Sequence, residues 1–308
     1  MPEITPINWL RLLVLGGFLG AAFMFTSLAL EGFGPRLVVA GRLSLGATLL
    51  LIIAYMRGVG LPSMRGPDAK AIWASAVGIG VLSNALPFFL LSWGQQYVAS
   101  GFAGVCMALI PLLILPLAHF FVPGEQMNLR RLIGFFIGTS GVVLLIGPAA
   151  FAATGAELEL LARVACVTAA FGYAIGAIIT RLCPKVDMIS LAAAALTIGA
   201  VLFTPYALVV DGLPTQVPMK SVLAILYLGM FPTGFAQLLL VLIIRSAGPV
   251  FMSLTNYQVP VWSMFLGIVF LGEELPTGVY WALLLILSGL ALSQASALKR
   301  LFIDRRAR

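Results

Sequence analysis

Two groups of polar and aromatic residues interrupt long apolar runs at helical spacing. In the third run Asn84, Phe88, Leu91 and Gln95 recur at intervals of four, three and four, so a helix places them on one face. In the ninth run Asn256, Pro260, Ser263 and Gly267 form a similar stripe. Tyr173 in the sixth run and Gln237 in the eighth add further polar groups. Amides, hydroxyls and rings of this kind can wall a cavity that binds a small molecule by hydrogen bonding and stacking. Arg42 is the only basic residue well inside a run. It has two readings: a partner for an anionic group such as a carboxylate, or a side chain satisfied by snorkelling, helix-end carbonyls or Glu31. Each of these polar groups costs free energy in hydrocarbon and so turns inward, either to a cavity or to an interhelical hydrogen bond.

The remaining reactive residues exclude most chemistry. There is one histidine, His119, close to the end of its run, which reads as packed or solvated rather than proton-sensing. All eleven acids fall in termini, loops or the ends of runs, so no midplane carboxylate relay and no counter-ion for a cationic drug is expected. Cys106, Cys166 and Cys183 share no ligand spacing and read as small packing residues, so no metal is expected. No phosphate-binding Gly-x-x-x-x-Gly-Lys-Ser/Thr loop occurs. The expectation is a protein that is not an enzyme, takes no cofactor and binds a small-molecule substrate.

The elements that must position these residues follow from composition. Of 308 residues 61% are hydrophobic and only 9% charged, and the mean hydropathy is +1.08, against roughly 25% charged in soluble domains. Continuous apolar runs, rather than alternating ten-residue segments, predict an all-α integral membrane protein and not a barrel. Ten transmembrane helices are expected, near 9–30, 34–56, 69–92, 97–122, 129–148, 158–181, 187–210, 219–244, 247–271 and 276–298. The first reads as a span and not a cleavable signal peptide, because its apolar run is too long and no strongly basic segment precedes it. The separators are short and rich in Gly, Pro and Asp, too short for a soluble domain.

Basic residues set the expected orientation. If the N-terminus is cytoplasmic, fourteen of the eighteen Lys and Arg residues lie in inner segments, three in outer ones, and Arg42 within a span. Both termini are therefore expected in the cytoplasm of a multi-pass inner-membrane protein. The net charge of +7 is topological and does not indicate nucleic acid; the tail "KRLFIDRRAR" is expected on anionic membrane lipids.

One shift relates distant landmarks. Pro111 and Glu125 stand 149 residues before Pro260 and Glu274, and the same shift carries Gly80 to Gly229 and Pro35 to Pro184. Residues 1–150 and 151–308 are thus expected to be two copies of one five-helix unit. An odd number of helices per copy inverts the second copy across the membrane. Such inverted repeats supply alternating access, with a site near the midplane between the halves. Pro111 and Pro260 each remove a donor in mid-run, and either face a cavity that satisfies the freed carbonyl or serve helix packing. Glu125 and Glu274 read as caps or partners of basic groups. Glycine runs such as Gly16, Gly17 and Gly20, and Gly134, Gly138 and Gly141, allow close helix approach.

The segment "YVASGFAGVCMALIPLLILPLAHFFVPGEQMNLRRLIGFFIGTSGVVLLIGP" and its counterpart "GPVFMSLTNYQVPVWSMFLGIVFLGEELPTGVYWALLLILSGLAL" resemble the fourth and fifth helices of an EamA-type repeat of the drug/metabolite transporter superfamily. The resemblance covers essentially the whole chain. It implies ten helices as two inverted fives and a secondary transporter exporting small metabolites such as amino acids, while the missing midplane acids favour facilitated diffusion or exchange of neutral or zwitterionic compounds. Its diffuse motifs leave the cargo open. A passive channel-like facilitator and a proton-coupled drug exporter are the alternatives, and the chain is either a monomer or a homodimer.

Overall fold

Lipid offers backbone amides no partner, so a spanning chain must satisfy them internally. Among the described residues this one does so with helices and no strand. The computed structural model describes residues 5–123, 127–146, 157–247, 249–252, 254–293 and 295. In order, α1 is Pro6–Leu30 and α2 is Pro35–Met56. Helix α3 (Ala69–Gly78) runs through a π-helical segment, Ile79–Ala85, into α4 (Leu86–Gly94). Helix α5 (Ser100–Cys106) runs through a 3-10 turn, Met107–Leu109, into α6 (Ile110–Phe121). Then come α7 (Leu129–Ile146), α8 (Glu157–Leu182) and α9 (Met188–Asp211). Helix α10 (Met219–Leu228) passes through a second π-helical segment, Gly229–Phe235, into α11 (Ala236–Ala247). A short α12 (Pro249–Met252), α13 (Thr255–Leu271) and α14 (Thr277–Ser293) complete the described chain.

Helix limits follow local chemistry. Prolines open the first turns of α1 and α2, where a missing N–H costs nothing. The Asp187 carboxylate accepts from Ile189 N at 2.9 Å and Ser190 N at 3.2 Å and so caps α9. Gly212 and Gly272, at φ 63° and 65°, end α9 and α13 in a conformation that favours glycine.

Among the described residues, seven continuous helical runs are long and apolar enough to cross a membrane: Pro6–Leu30, Pro35–Met56, Ala69–Gly94, Ser100–Phe121, Leu158–Leu182, Met188–Asp211 and Met219–Ile244. Ten were expected. The ninth expected run is divided between α12 and α13, which leaves α13 with 17 residues, and α14 also has 17. Large apolar side chains such as Phe120, Val201, Val209 and Phe270 are exposed on the outside of the bundle, where lipid would be their solvent.

Small residues decide which helices touch, since lipid supplies no hydrophobic drive for helix association. Helices α7 and α14 cross so closely that a Cβ on Gly289 would lie 2.4 Å from the Gly134 carbonyl oxygen. Gly16 and Gly20 admit α13 against α1, and Gly104 admits Ser263 against α5. Gly80 lies against the backbone of α9, where its added Cβ would be 2.5 Å from the Ala195 carbonyl. Gly229 and Gly234 lie against Leu45 and Leu49 of α2. Helices α2 and α9, α1 and α13, and α4 and α8 are the other main pairs. At one end of the bundle, Arg36 pairs with Asp211 at 2.6 Å, Lys220 pairs with Glu31, and Ser221 Oγ donates to the Leu28 carbonyl.

Candidate functional site

The two π-helical segments face one central cavity of about 220 Å³. A π-turn removes regular backbone pairing and so re-aims side chains, which is why such segments recur at functional sites. In the second segment the cause is legible. Pro232 has no N–H to give the carbonyl four residues back, that of Leu228, and Thr233 Oγ1 donates to this oxygen at 2.8 Å. The hydroxyl's lone pairs remain, and Arg42 Nε donates to Thr233 Oγ1 at 2.9 Å. The guanidinium carbon also lies 3.7 Å from the centroid of the Phe88 ring. A hydrogen bond and a ring face thus hold the fork of Arg42 at the cavity wall. Glu31 is engaged with Lys220 instead.

Eight of the residues singled out in the sequence line this one cavity: Arg42, Asn84, Phe88, Leu91, Gln95, Tyr173, Gln237 and Asn256. The whole first stripe faces it, Leu91 included. Gln95 Oε1 accepts from Ser27 at 3.3 Å, while its buried Nε2 has no partner. Among the described residues the side-chain amides of Asn84, Gln237 and Asn256 also have no hydrogen-bond partner, so all three are available to a ligand.

Pro111, Pro260 and Ser263 are not in the lining, a correction to the sequence reading. Each is buried between helices. Pro111 sits in the first turn of α6, just after the 3-10 turn, where it frees no mid-helix carbonyl. Pro260 is interior to α13, and Ser263 Oγ donates to its carbonyl at 2.9 Å while packing against Gly104. Further along the stripe that Asn256 begins, α13 meets the small residues of α5, with Ser263 at Gly104 and Gly267 at Ser100. Ile110 and Val259, each one residue before a proline, line the cavity in the prolines' place.

Thr233, Thr26 and Ser92 also line the cavity and were not singled out. A signal for Thr233 existed, because the 149-residue shift carries Asn84 onto it. The same shift carries Phe88 to Gln237, Met107 to Asn256 and Ile110 to Val259, and all eight residues line the cavity.

The flagged carboxylates resolve differently. Glu125 lies outside the described residues. Glu274 is exposed, and its neighbour Glu273 does the capping: it accepts from Ser100 N at 2.7 Å and Gly101 N at 2.9 Å, at the first turn of α5. His119 is exposed, its Nδ1 accepting from Met127 N at 3.3 Å.

The model of the EamA-like transporter family matches residues 7–147 and again 160–294. The chain belongs to the EamA-like transporter family. It is similar to the uncharacterized transporter YoaV of Bacillus subtilis, 24% identical over 83% of this EamA-like chain and 86% of that protein. It is 26% identical to a probable terminal-alkyne amino-acid exporter of Streptantibioticus cattleyicolor, over 83% of this chain and 82% of the other. A third relative, an S-adenosylmethionine/S-adenosylhomocysteine transporter of Chlamydia trachomatis, is 25% identical over 88% and 84%. A solved crystal structure superposes with a TM-score of 0.64 at 22% identity, covering 94% of this chain and 97% of the other, a likeness that shows the fold alone. This EamA-like protein is a multi-pass membrane transporter of small molecules and not an enzyme.

Proposed function

We propose that the chain is a secondary transporter that moves small metabolites, amino acids or similar compounds, through the central cavity by alternating access. The observation that carries this reading is the pairing of the lining. Four pairs of residues separated by one shift of 149 converge on one cavity, as expected where two copies of a unit meet at a pseudo-two-fold axis. In support, the family model matches twice in succession, and the two π-helical segments lie 150 residues apart. On this reading residues 1–150 and 151–308 are inverted five-helix repeats, with α7, α13 and α14 as spans beside the seven longer runs. Both termini lie in the cytoplasm, the membrane is the inner one, and the direction is export, the direction printed for the Streptantibioticus relative.

The cavity is smaller than the roughly 300–1,000 Å³ of sites for drug-sized ligands, which favours compact cargo over bulky drugs. Arg42, Asn84, Phe88, Gln95, Tyr173, Gln237 and Asn256 form the proposed binding surface. Uptake of a labelled panel of small metabolites into proteoliposomes, with and without a pH gradient, tests the assignment. Saturable uptake is expected. Asn84→Ala and Asn256→Ala should each reduce it by about 2- to 10-fold, the worth of one hydrogen bond, while membrane insertion is unchanged. Flux that does not saturate would identify a channel instead.

A further inference from the structure

Among the described residues, the cavity lining carries one formal positive charge and no negative one. Arg42 is the charged residue of its lining, and a guanidinium stays protonated in any protein setting. With Nε committed to Thr233, both Nη nitrogens are left without a partner among the described residues. The described acids are engaged or placed elsewhere. Glu31 pairs with Lys220, Asp211 with Arg36 and Glu159 with Arg163; Glu273 caps α5, Asp187 caps α9, and Asp68 and Glu274 are exposed. An ionised group at this depth is expensive unless something compensates it, and among the described residues no carboxylate does.

We propose that the compensating group is the carboxylate of the cargo, and that the cavity prefers a compact organic monoanion without a free ammonium, such as a simple carboxylic acid or an N-acylated amino acid, over a zwitterion. The inference rests on the cavity being the transport site. The Nη nitrogens present the planar fork that matches a carboxylate with two hydrogen bonds, and Gln95 Nε2 is a further buried donor without a partner. A monoanion brings the occupied cavity to zero net charge. A zwitterion leaves the cavity's net positive charge in place, and its ammonium would find amide and hydroxyl oxygens but no carboxylate among the described lining residues, close to Arg42 itself. Leu19, Phe23, Leu91, Met107, Ile110 and Val259 form an apolar wall for an aliphatic or aromatic tail.

The test compares labelled N-acetyl-leucine, hexanoate and benzoate with leucine, phenylalanine and leucinamide, taken up by the full chain in proteoliposomes. At least about tenfold higher kcat/KM for the monoanions than for the zwitterions is expected, with no saturable uptake of leucinamide. Arg42→Gln should raise KM for the monoanions by at least about tenfold, and Arg42→Lys, which keeps the charge but loses the fork, should fall between. The ranking within the wild type decides the question even if Arg42→Gln fails to insert. Leucine or phenylalanine transported as well as the monoanions, or monoanion uptake indifferent to Arg42→Gln, overturns the preference and leaves the transporter reading standing. Absence of saturable uptake for every compound overturns both.

Discussion

At the residue scale, adjacent identical side chains do different work. Glu273 accepts two backbone N–H groups at the start of α5, whereas Glu274 is exposed. A carboxylate on orphan N–H groups at a helix N-terminus gains from charge-assisted hydrogen bonds and from the helix dipole. Glu273→Ala should therefore lower the stability of the detergent-solubilised protein by about 1.5–3 kcal/mol, read as a fall in the unfolding temperature. Glu274→Ala should change it by no more than about 0.5 kcal/mol. Equal effects would refute the assignment of the cap. Both residues are acids beside a turn in the sequence. Only the placement of the α5 N-terminus beside the end of α13 separates them.

At the element scale, packing is a matter of missing side chains. Gly104 leaves the space into which Ser263 fits: a Cβ there would be 1.8 Å from Ser263 Oγ and 2.3 Å from its Cβ. Neither contact is tolerable, so Gly104→Ala must push α5 and α13 apart, at a cost of about 1–3 kcal/mol. Trimming the hydroxyl alone leaves the Cβ clash, so Ser263→Ala should not rescue Gly104→Ala, whereas Ser263→Gly should restore most of the stability. Thermal unfolding of the two double variants measures the difference, and rescue by Ser263→Ala would show that the contact is looser than described. This crossing also explains why the second stripe turns to α5 at Ser263 and Gly267, leaving only Asn256 of its members in the cavity lining.

For the whole molecule, the basic residues and the connections make a claim about sides. On the orientation proposed above, the segment 57–68 and Cys183 lie toward the cytoplasm and the segment 212–218 lies outside. Met64 and Leu213 are exposed, at 79% and 76%, and suit single cysteine substitutions. A membrane-impermeant thiol reagent applied to intact cells should modify Leu213→Cys and spare both Met64→Cys and the native Cys183 until the membrane is opened. The reverse pattern would invert the protein. Two cross-bundle ion pairs, Arg36 with Asp211 and Lys220 with Glu31, belong to the end that carries Leu213. Each is worth about 0–1 kcal/mol as a solvated surface pair, which is little enough to break and re-form under the alternating access proposed above.

The sequence by itself determined that the chain is helical and membrane-embedded, because a composition with 9% charge has no aqueous surface to make and lipid forces every amide into a local partner. It also determined the first stripe, since residues at 84, 88, 91 and 95 share a face whatever surrounds them. Which way a stripe faces is not local. The rotation of α13 was decided by the small residues of α5, which took Ser263 and Gly267 and left Asn256 and Val259 to the cavity. The role of Arg42 was likewise a tertiary matter. It needed Thr233, 191 residues along the chain, whose hydroxyl is drawn to the carbonyl that Pro232 leaves unpaired, and the ring of Phe88, to hold a charge that no acid among the described residues meets.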